Sequence, residues 1–133
     1  MTPERLANIK QGLERRQHDL TVIMEGVRKP HHLAAVGRTL EAVGGLDIHA
    51  ITELSSIRLS QMAAGGIRRW ISVKKHTSTE QGLSSLKASG YQVIATTLSP
   101  DSLDYREVDY TRPTAILVGE ELEGISDKAV QLA

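Results

Sequence analysis

This chain has no cysteine and no phenylalanine, and its aromatic residues besides histidine are Trp70, Tyr91, Tyr105 and Tyr110. The first absence excludes a disulfide frame and a thiolate metal site. The second means that the core has to be aliphatic, built from Leu, Ile, Val and Ala. The N-terminal stretch lacks the apolar segment of a secretory leader, and no apolar run approaches the roughly 20 residues of a membrane span. A soluble, cytoplasmic protein with no membrane partner is therefore the expectation. No internal repeat, low-complexity tract or long linker interrupts the chain. What is present, 133 residues with 40% hydrophobic and 24% charged content, suits one ordered domain around a single core.

Net charge is zero but unevenly spread. Residues 1–80 carry 12 Lys/Arg against 8 Asp/Glu, and residues 81–133 carry 4 against 8. Arg5, Lys10, Arg15, Arg16, Arg28, Lys29, Arg68, Arg69, Lys74 and Lys75 make up most of the basic half. A surface of this kind attracts a phosphate backbone. The same counts also describe an ordinary solvated face, and charge alone does not choose between the two.

The apolar pattern alternates between helical and extended spacing. Thr2 can cap a first helix that has Pro3 at its first position and Leu6, Ile9 and Leu13 as its stripe, running to about Gln17. Strands are expected over Leu20–Met24, Asp47–Ile51, Trp70–Val73, Gln92–Thr97 and Thr114–Val118. The last of these, TAILV, is a continuous apolar run of the kind buried on both faces. Helices are expected over Leu33–Val43, stopped by Gly44-Gly45, over Ser60–Ala64, broken by Gly65-Gly66, and over Thr79–Ser89, closed by Gly90. Ser126 can cap a final helix through Leu132. This order predicts an α/β domain, a mostly parallel sheet flanked by helices, over residues 20–133. Residues 1–19 form an N-terminal helical extension to it.

In open α/β sheets ligands bind beyond the carboxyl ends of the strands. LTVIM leads into the basic loop Glu25–His32, and TAILV into the glycine-flanked stretch Gly119–Gly124, which makes these loops the candidate walls of a site. A glycine turn after a strand is common, and a plain strand-to-helix connection explains it equally well. Arg38 sits in a helix whose Leu33, Val36, Leu40 and Val43 look buried, so on pattern alone it is a snorkelling or carboxylate-paired residue. His18, His49 and His76 are scattered, and the adjacent His31 and His32 would point apart on a helix. Without a histidine pair at helix-face spacing, no metal is expected.

Two segments narrow the reading. KPHHLAAVGRTLEAVG (Lys29–Gly44) and TRPTAILVGEELEGIS (Thr111–Ser126) resemble the first two of three signature motifs of the SPOUT class of RNA methyltransferases, and within it the TrmH family. Residues 2–20 resemble that family's N-terminal helix, which contributes to tRNA binding. Ala64–His76, Ala95–Leu98 and Asp104–Pro113 resemble further stretches of it, so the likeness runs through nearly the whole chain. The resemblance implies transfer of a methyl group from S-adenosylmethionine to the ribose 2′-hydroxyl of a tRNA guanosine. It implies a catalytic role for Arg38, which would assist removal of the hydroxyl proton and hold the neighbouring phosphate, with Glu121 and His32 beside it. Gly119, Glu120 and Gly124 are the implied cofactor residues, and Arg5, Lys10, Arg15, Arg16, Arg28 and Lys29 the implied RNA contacts. His32 stands where the family carries asparagine. An imidazole can replace the amide's hydrogen bonds or act as a base, and a drifted, inactive copy is the competing reading.

The third motif does not follow Ser126 before the sequence ends at Ala133. The trefoil knot that the resemblance implies, with much of the cofactor pocket and of the homodimer interface, is accordingly expected to be absent. Two functions from different classes follow. One is a TrmH-like tRNA ribose methyltransferase; the other is a non-catalytic RNA-binding or partner-binding module descended from the same fold. A flavodoxin-like binder of small molecules is a third, which the ordered motifs disfavour.

Overall fold

The computed structural model describes residues 1–54 and 71–133. Helix α1 (Pro3–Glu14) precedes strand β1 (Leu20–Met24), helix α2 (Pro30–Ala42) and strand β2 (Asp47–Ile51). Beyond residue 70 come β3 (Ser72–His76), α3 (Thr79–Ala88), β4 (Gln92–Ala95), a single 3-10 turn (Tyr105–Glu107), β5 (Thr114–Val118) and α4 (Asp127–Leu132). The five strands form one sheet in the order β3-β2-β1-β5-β4, and every pairing is parallel. The expected α/β architecture with a parallel sheet is the one observed.

Alternation along the strands sends side chains to two aliphatic layers. On one face Met24, Leu33, Ala34, Leu40, Ile48 and Ala50 pack under α2. On the other Ile23, Leu83, Leu86, Ala115, Leu117 and Ala129 pack under α3 and α4. The buried hydroxyls of Thr21 and Thr114 donate to the backbone carbonyls of Asp47 and Arg112, at 2.7 Å each. Both therefore enter the interior with their polar group satisfied.

Several expected boundaries move, each for a physical reason. Helix α2 begins at Pro30 and not at Leu33, because proline fits the first helical position and holds the preceding Lys29 extended. Its last residue is Ala42, which leaves Val43 at the C-cap and 53% exposed, not buried. Helix α1 stops at Glu14, short of Gln17, and none of its residues is buried: Leu6 and Leu13 are 43% and 48% exposed. The strand expected at Trp70–Val73 runs on through His76, since pairing with β2 as far as Ile51 carries it past the end of its apolar pattern. Strand β4 closes at Ala95, two residues early, although the Thr96 amide still reaches the Leu117 carbonyl at 3.0 Å. The helix expected at Ser60–Ala64, its Gly65-Gly66 break, and Arg58, Arg68, Arg69 and Trp70 lie outside the described residues.

The histidines expected to be scattered include a buried pair. His49 on β2 and His76 on β3 are 5% and 8% exposed, their Nδ1 and Nε2 atoms lie 2.8 Å apart, and their rings are parallel within 1°. At that distance one ring donates and the other accepts, so at least the accepting nitrogen carries no proton. Burial lowers His49 from 6.5 to about 4, opposed by Asp47 and reinforced by His76 and Lys74. Burial, reinforced by Lys74, lowers His76 as well. Such groups favour the folded state when unprotonated, so their contribution is complete above the unfolded value of 6.5 and is lost as the pH falls below it, for His49 towards about 4. For His49 alone the loss is at most about 3 kcal/mol across this window. Denaturant titrations across the window should show it, with a shallower dependence in His49→Gln; an equally steep fall in that variant would place the acid sensitivity elsewhere.

Candidate functional site

Strand β1 lies between β2 and β5, so its C-terminal turn is fastened from both sides. The Glu25 amide donates to the Val118 carbonyl at 2.9 Å, extending the β1–β5 ladder by one step. The Val27 amide donates to Ile51, and the Thr52 hydroxyl donates to the Val27 carbonyl at 2.7 Å. Between these anchors Gly26 adopts φ +70°, a left-handed conformation that costs a residue with a Cβ about 1 kcal/mol or more.

The loop after β5 folds back on itself. The Glu120 amide donates to the Gly124 carbonyl at 3.1 Å, and the Gly124 amide to the Glu120 carbonyl at 2.8 Å. Gly119 touches the far side of this turn so closely that a Cβ on it would lie 2.1 Å from the backbone of Gly124. The turn rests on the one after β1: the Glu120 side chain lies over Gly26, where a Cβ would come within 2.3 Å of its carboxylate.

Charge complements the contact. Arg28 Nε stands 3.3 Å from Glu120 Oε1, and His32 Nε2 3.3 Å from Glu121 Oε1. Arg28 is 75% exposed and Glu121 76%, so each pair contributes at most about 0.2–1 kcal/mol and orients more than it stabilises. His31 does not point away from His32; the rings meet edge to face with centroids 4.3 Å apart. A cleft of about 510 Å³ opens between the two turns and the first half of α2, walled by Gly26, Arg28, Lys29, His32, Val36 and Glu121. A second, of about 580 Å³, shares the Glu25–Arg28 turn and Glu120 and extends to Thr52, Ser78, Thr79 and Lys128.

The expected site residues do not all meet: Gly124 closes its turn by pairing with Glu120 and does not line the first cleft. His32, Glu121, Gly119, Glu120, Arg28 and Lys29 converge on the first cleft. Arg38 does not line it: the α2 residues on the wall are His32, Ala35 and Val36, and Arg38 is exposed on another face of the helix. It makes no hydrogen bond or ion pair to any described residue, so the carboxylate-paired alternative is not seen among them. Arg5, Lys10 and Arg15 are exposed on and beside α1. Arg16 is engaged within the chain, donating to the Glu41 carbonyl at 3.3 Å and pairing with its carboxylate at 3.4 Å. No cluster of three or more His, Asp or Glu able to hold a metal occurs among the described residues.

Sequence reasoning placed Glu25 in a candidate wall but gave it no role. Its carboxylate accepts from the Thr79 hydroxyl at 2.6 Å, the Ser126 hydroxyl at 2.8 Å and the Ser126 amide at 2.8 Å. The available signal was its place, the first residue after an apolar strand and directly before a glycine.

Comparison with known proteins matches residues 19–133 to the SpoU rRNA Methylase family. The chain is 47% identical over its full length to the tRNA (guanosine(18)-2'-O)-methyltransferase of Escherichia coli K12, and spans 58% of that protein's length. It is 42% identical, over 99% of its length and 68% of the relative's, to the Thermus thermophilus protein of the same name. Among solved structures it superposes on a TrmH/SpoU tRNA modifying enzyme of A. aeolicus with a TM-score of 0.80, at 36% identity, covering 98% of this chain and 66% of that one. It also resembles an AdoMet-bound rRNA methyltransferase from Sinorhizobium meliloti, with a TM-score of 0.69, 28% identity, and 88% and 45% coverage.

The close approach at Gly119 generates a test. Gly119→Ala forces the turn open and should cost about 1–3 kcal/mol. Gly12→Ala on α1, where an added Cβ meets nothing within 4 Å, should instead stabilise by about 0.5–1 kcal/mol. Paired thermal melts read both, and a neutral Gly119→Ala would mean that the turn is not closed in solution.

Proposed function

This chain belongs to the SpoU rRNA Methylase family, and we propose that it forms the RNA-facing part of a tRNA ribose 2′-O-methyltransferase that acts on a guanosine and uses S-adenosylmethionine. The observation that carries this reading is the convergence of Arg28, Lys29, His32 and Glu121 on one cleft at the carboxyl ends of β1 and β5. Cations there suit an RNA phosphate, and the His32–Glu121 pair presents a histidine oriented by a carboxylate. In our reading the ribose hydroxyl lies against this pair and His32 takes the place of the family's asparagine, accepting or relaying the hydroxyl proton.

The Gly119–Gly124 turn is our assignment for this chain's share of the cofactor contacts. Its carboxylates suit a ligand that carries sulfonium and ammonium charge, and its backbone is held rigid by the paired amides of Glu120 and Gly124. S-adenosylmethionine supplies the electrophilic methyl group when bound. Activating a ribose hydroxyl, a poor nucleophile at neutral pH, is the work of the protein's own groups.

Arg38 is the catalytic cation of the proposal, and its position off the cleft wall favours a homodimer in which it serves the neighbouring copy's ribose. Arg38→Ala should lower the methylation rate about 10²–10³-fold with folding unchanged. Mixing it with an inactive Glu121→Gln variant should restore part of the activity, because each mixed dimer then assembles one complete site. Absence of complementation together with a fall in melting temperature would assign Arg38 a structural role.

The exposed cations of residues 1–19 are assigned to the tRNA backbone. A triple Arg5, Lys10, Arg15→Ala variant should bind tRNA more weakly, and the slope of log affinity against log salt should flatten by about one unit for every phosphate no longer neutralised. Unchanged binding would remove this segment from the RNA surface. A non-catalytic RNA-binding module is the second reading, favoured by His32; it predicts intact tRNA binding without methyl transfer.

A further inference from the structure

We infer that Glu25 is a positioning residue, a carboxylate that fixes the turn carrying Glu120 and Glu121 against the basic loop and so sets the geometry of the cleft between them. This rests on the functional reading above for its catalytic consequence, though not for its structural one.

One side chain joins three distant parts of the fold. From the end of β1, Glu25 Oε1 accepts from the Thr79 hydroxyl, at the first residue of α3, and from the Ser126 hydroxyl, while Oε2 accepts from the Ser126 amide. The Ser126 hydroxyl in turn accepts from the Ala129 amide at 3.1 Å. Its single proton is thus committed to Glu25 and its lone pairs to the cap of α4. Ser126 immediately follows the Gly119–Ile125 segment, and the Glu25 amide holds Val118 immediately before it. The turn is therefore gripped at both ends by one residue, through backbone at one end and carboxylate at the other. Within it, Glu120 lies over Gly26 and reaches Arg28, and Glu121 reaches His32.

The carboxylate accepts from all three partners at once: two are hydroxyls, which can donate or accept, and one is a backbone N–H that cannot reverse its role. A glutamine can keep all three contacts by offering its oxygen to the Ser126 amide and its NH₂ to the two hydroxyls, whereas an alanine removes every one of them. The contacts of Arg28 with Glu120 and of His32 with Glu121 are too exposed to hold the turn by themselves. Without Glu25 the turn keeps its internal bonds yet swings as a unit, and Glu121 loses its fixed distance from His32. Displacements of this size in a catalytic constellation reduce rate more than binding.

Hydrogen exchange and steady-state kinetics on the same variants test the inference. In Glu25→Ala, amides of residues 119–126 should exchange about tenfold or more faster, while those of β1, β2 and α3 keep their protection. Methyl transfer should show kcat reduced about tenfold or more, with KM for tRNA within about twofold of the parent. Ser126→Ala, which keeps the amide arm and removes the hydroxyl arm, should give the same local pattern at smaller amplitude. It serves in place of Glu25→Ala should that variant not fold. Unchanged exchange at residues 119–126 overturns the inference. So does acceleration spread evenly over the sheet with a lowered melting temperature, which would make Glu25 a stabilising residue only. Lack of methyl transfer by the parent protein itself would defeat the functional reading, and the exchange pattern would still decide the role of Glu25.

Discussion

The parallel pairing of β1 with β5 is the constraint on which the site depends. It runs without interruption from Leu20 opposite Thr114 to Met24 opposite Val118, and it brings two segments far apart in sequence to the same edge of the sheet. Because the strands are parallel, both turns leave on the same side. An antiparallel arrangement would have placed the loop after Met24 and the loop after Val118 at opposite ends. The fully buried Ile23 and Leu117 hold this register: a slip of one residue would turn either strand's aliphatic set to the wrong face.

That juxtaposition gives the uneven charge of the chain a meaning inside the molecule. The acidic half contributes Glu120 and Glu121, the basic half Arg28 and His32, and the two meet across the cleft. Part of the basic surface is thus balanced by the chain itself: Arg16 is joined to Glu41 and Lys74 to Asp47. Among the described residues, Arg5, Lys10, Arg15, Lys29 and Arg38 are exposed and have no such partner. Charge counts could not distinguish these classes, because pairing depends on which surfaces face each other.

Local pattern was legible where local physics decides. LTVIM, DIHAI and TAILV are strands over their expected spans, and Ser126 caps the last helix as its hydroxyl and position imply. Legibility failed where a distant partner decides. β3 extends through Lys74, Lys75 and His76 because β2 offers backbone groups to pair with, although the side chains no longer read as a strand. The buried His49–His76 contact joins residues on separate strands, and neither lies in a metal-like or helical spacing that would have marked it. The role of Glu25 was hidden in the same way, since its partners Thr79 and Ser126 lie far along the chain.

The sequence by itself therefore determined the fold class, the sheet's three central strands, the two loops that form the cleft and the family the chain belongs to. Each of these follows from apolar periodicity, caps and glycines, or from motifs contiguous in the chain. Only the tertiary structure decided that Arg38 lies off the cleft wall while His32 and Glu121 face each other across it. It alone placed two hydrogen-bonded histidines in the core, and it alone gathered three donors around one carboxylate. The physical reason is common to all of these. Hydrogen bonds and ion pairs are short-ranged and directional, so they are fixed by which strand ends the sheet brings together, and a linear pattern does not contain that proximity.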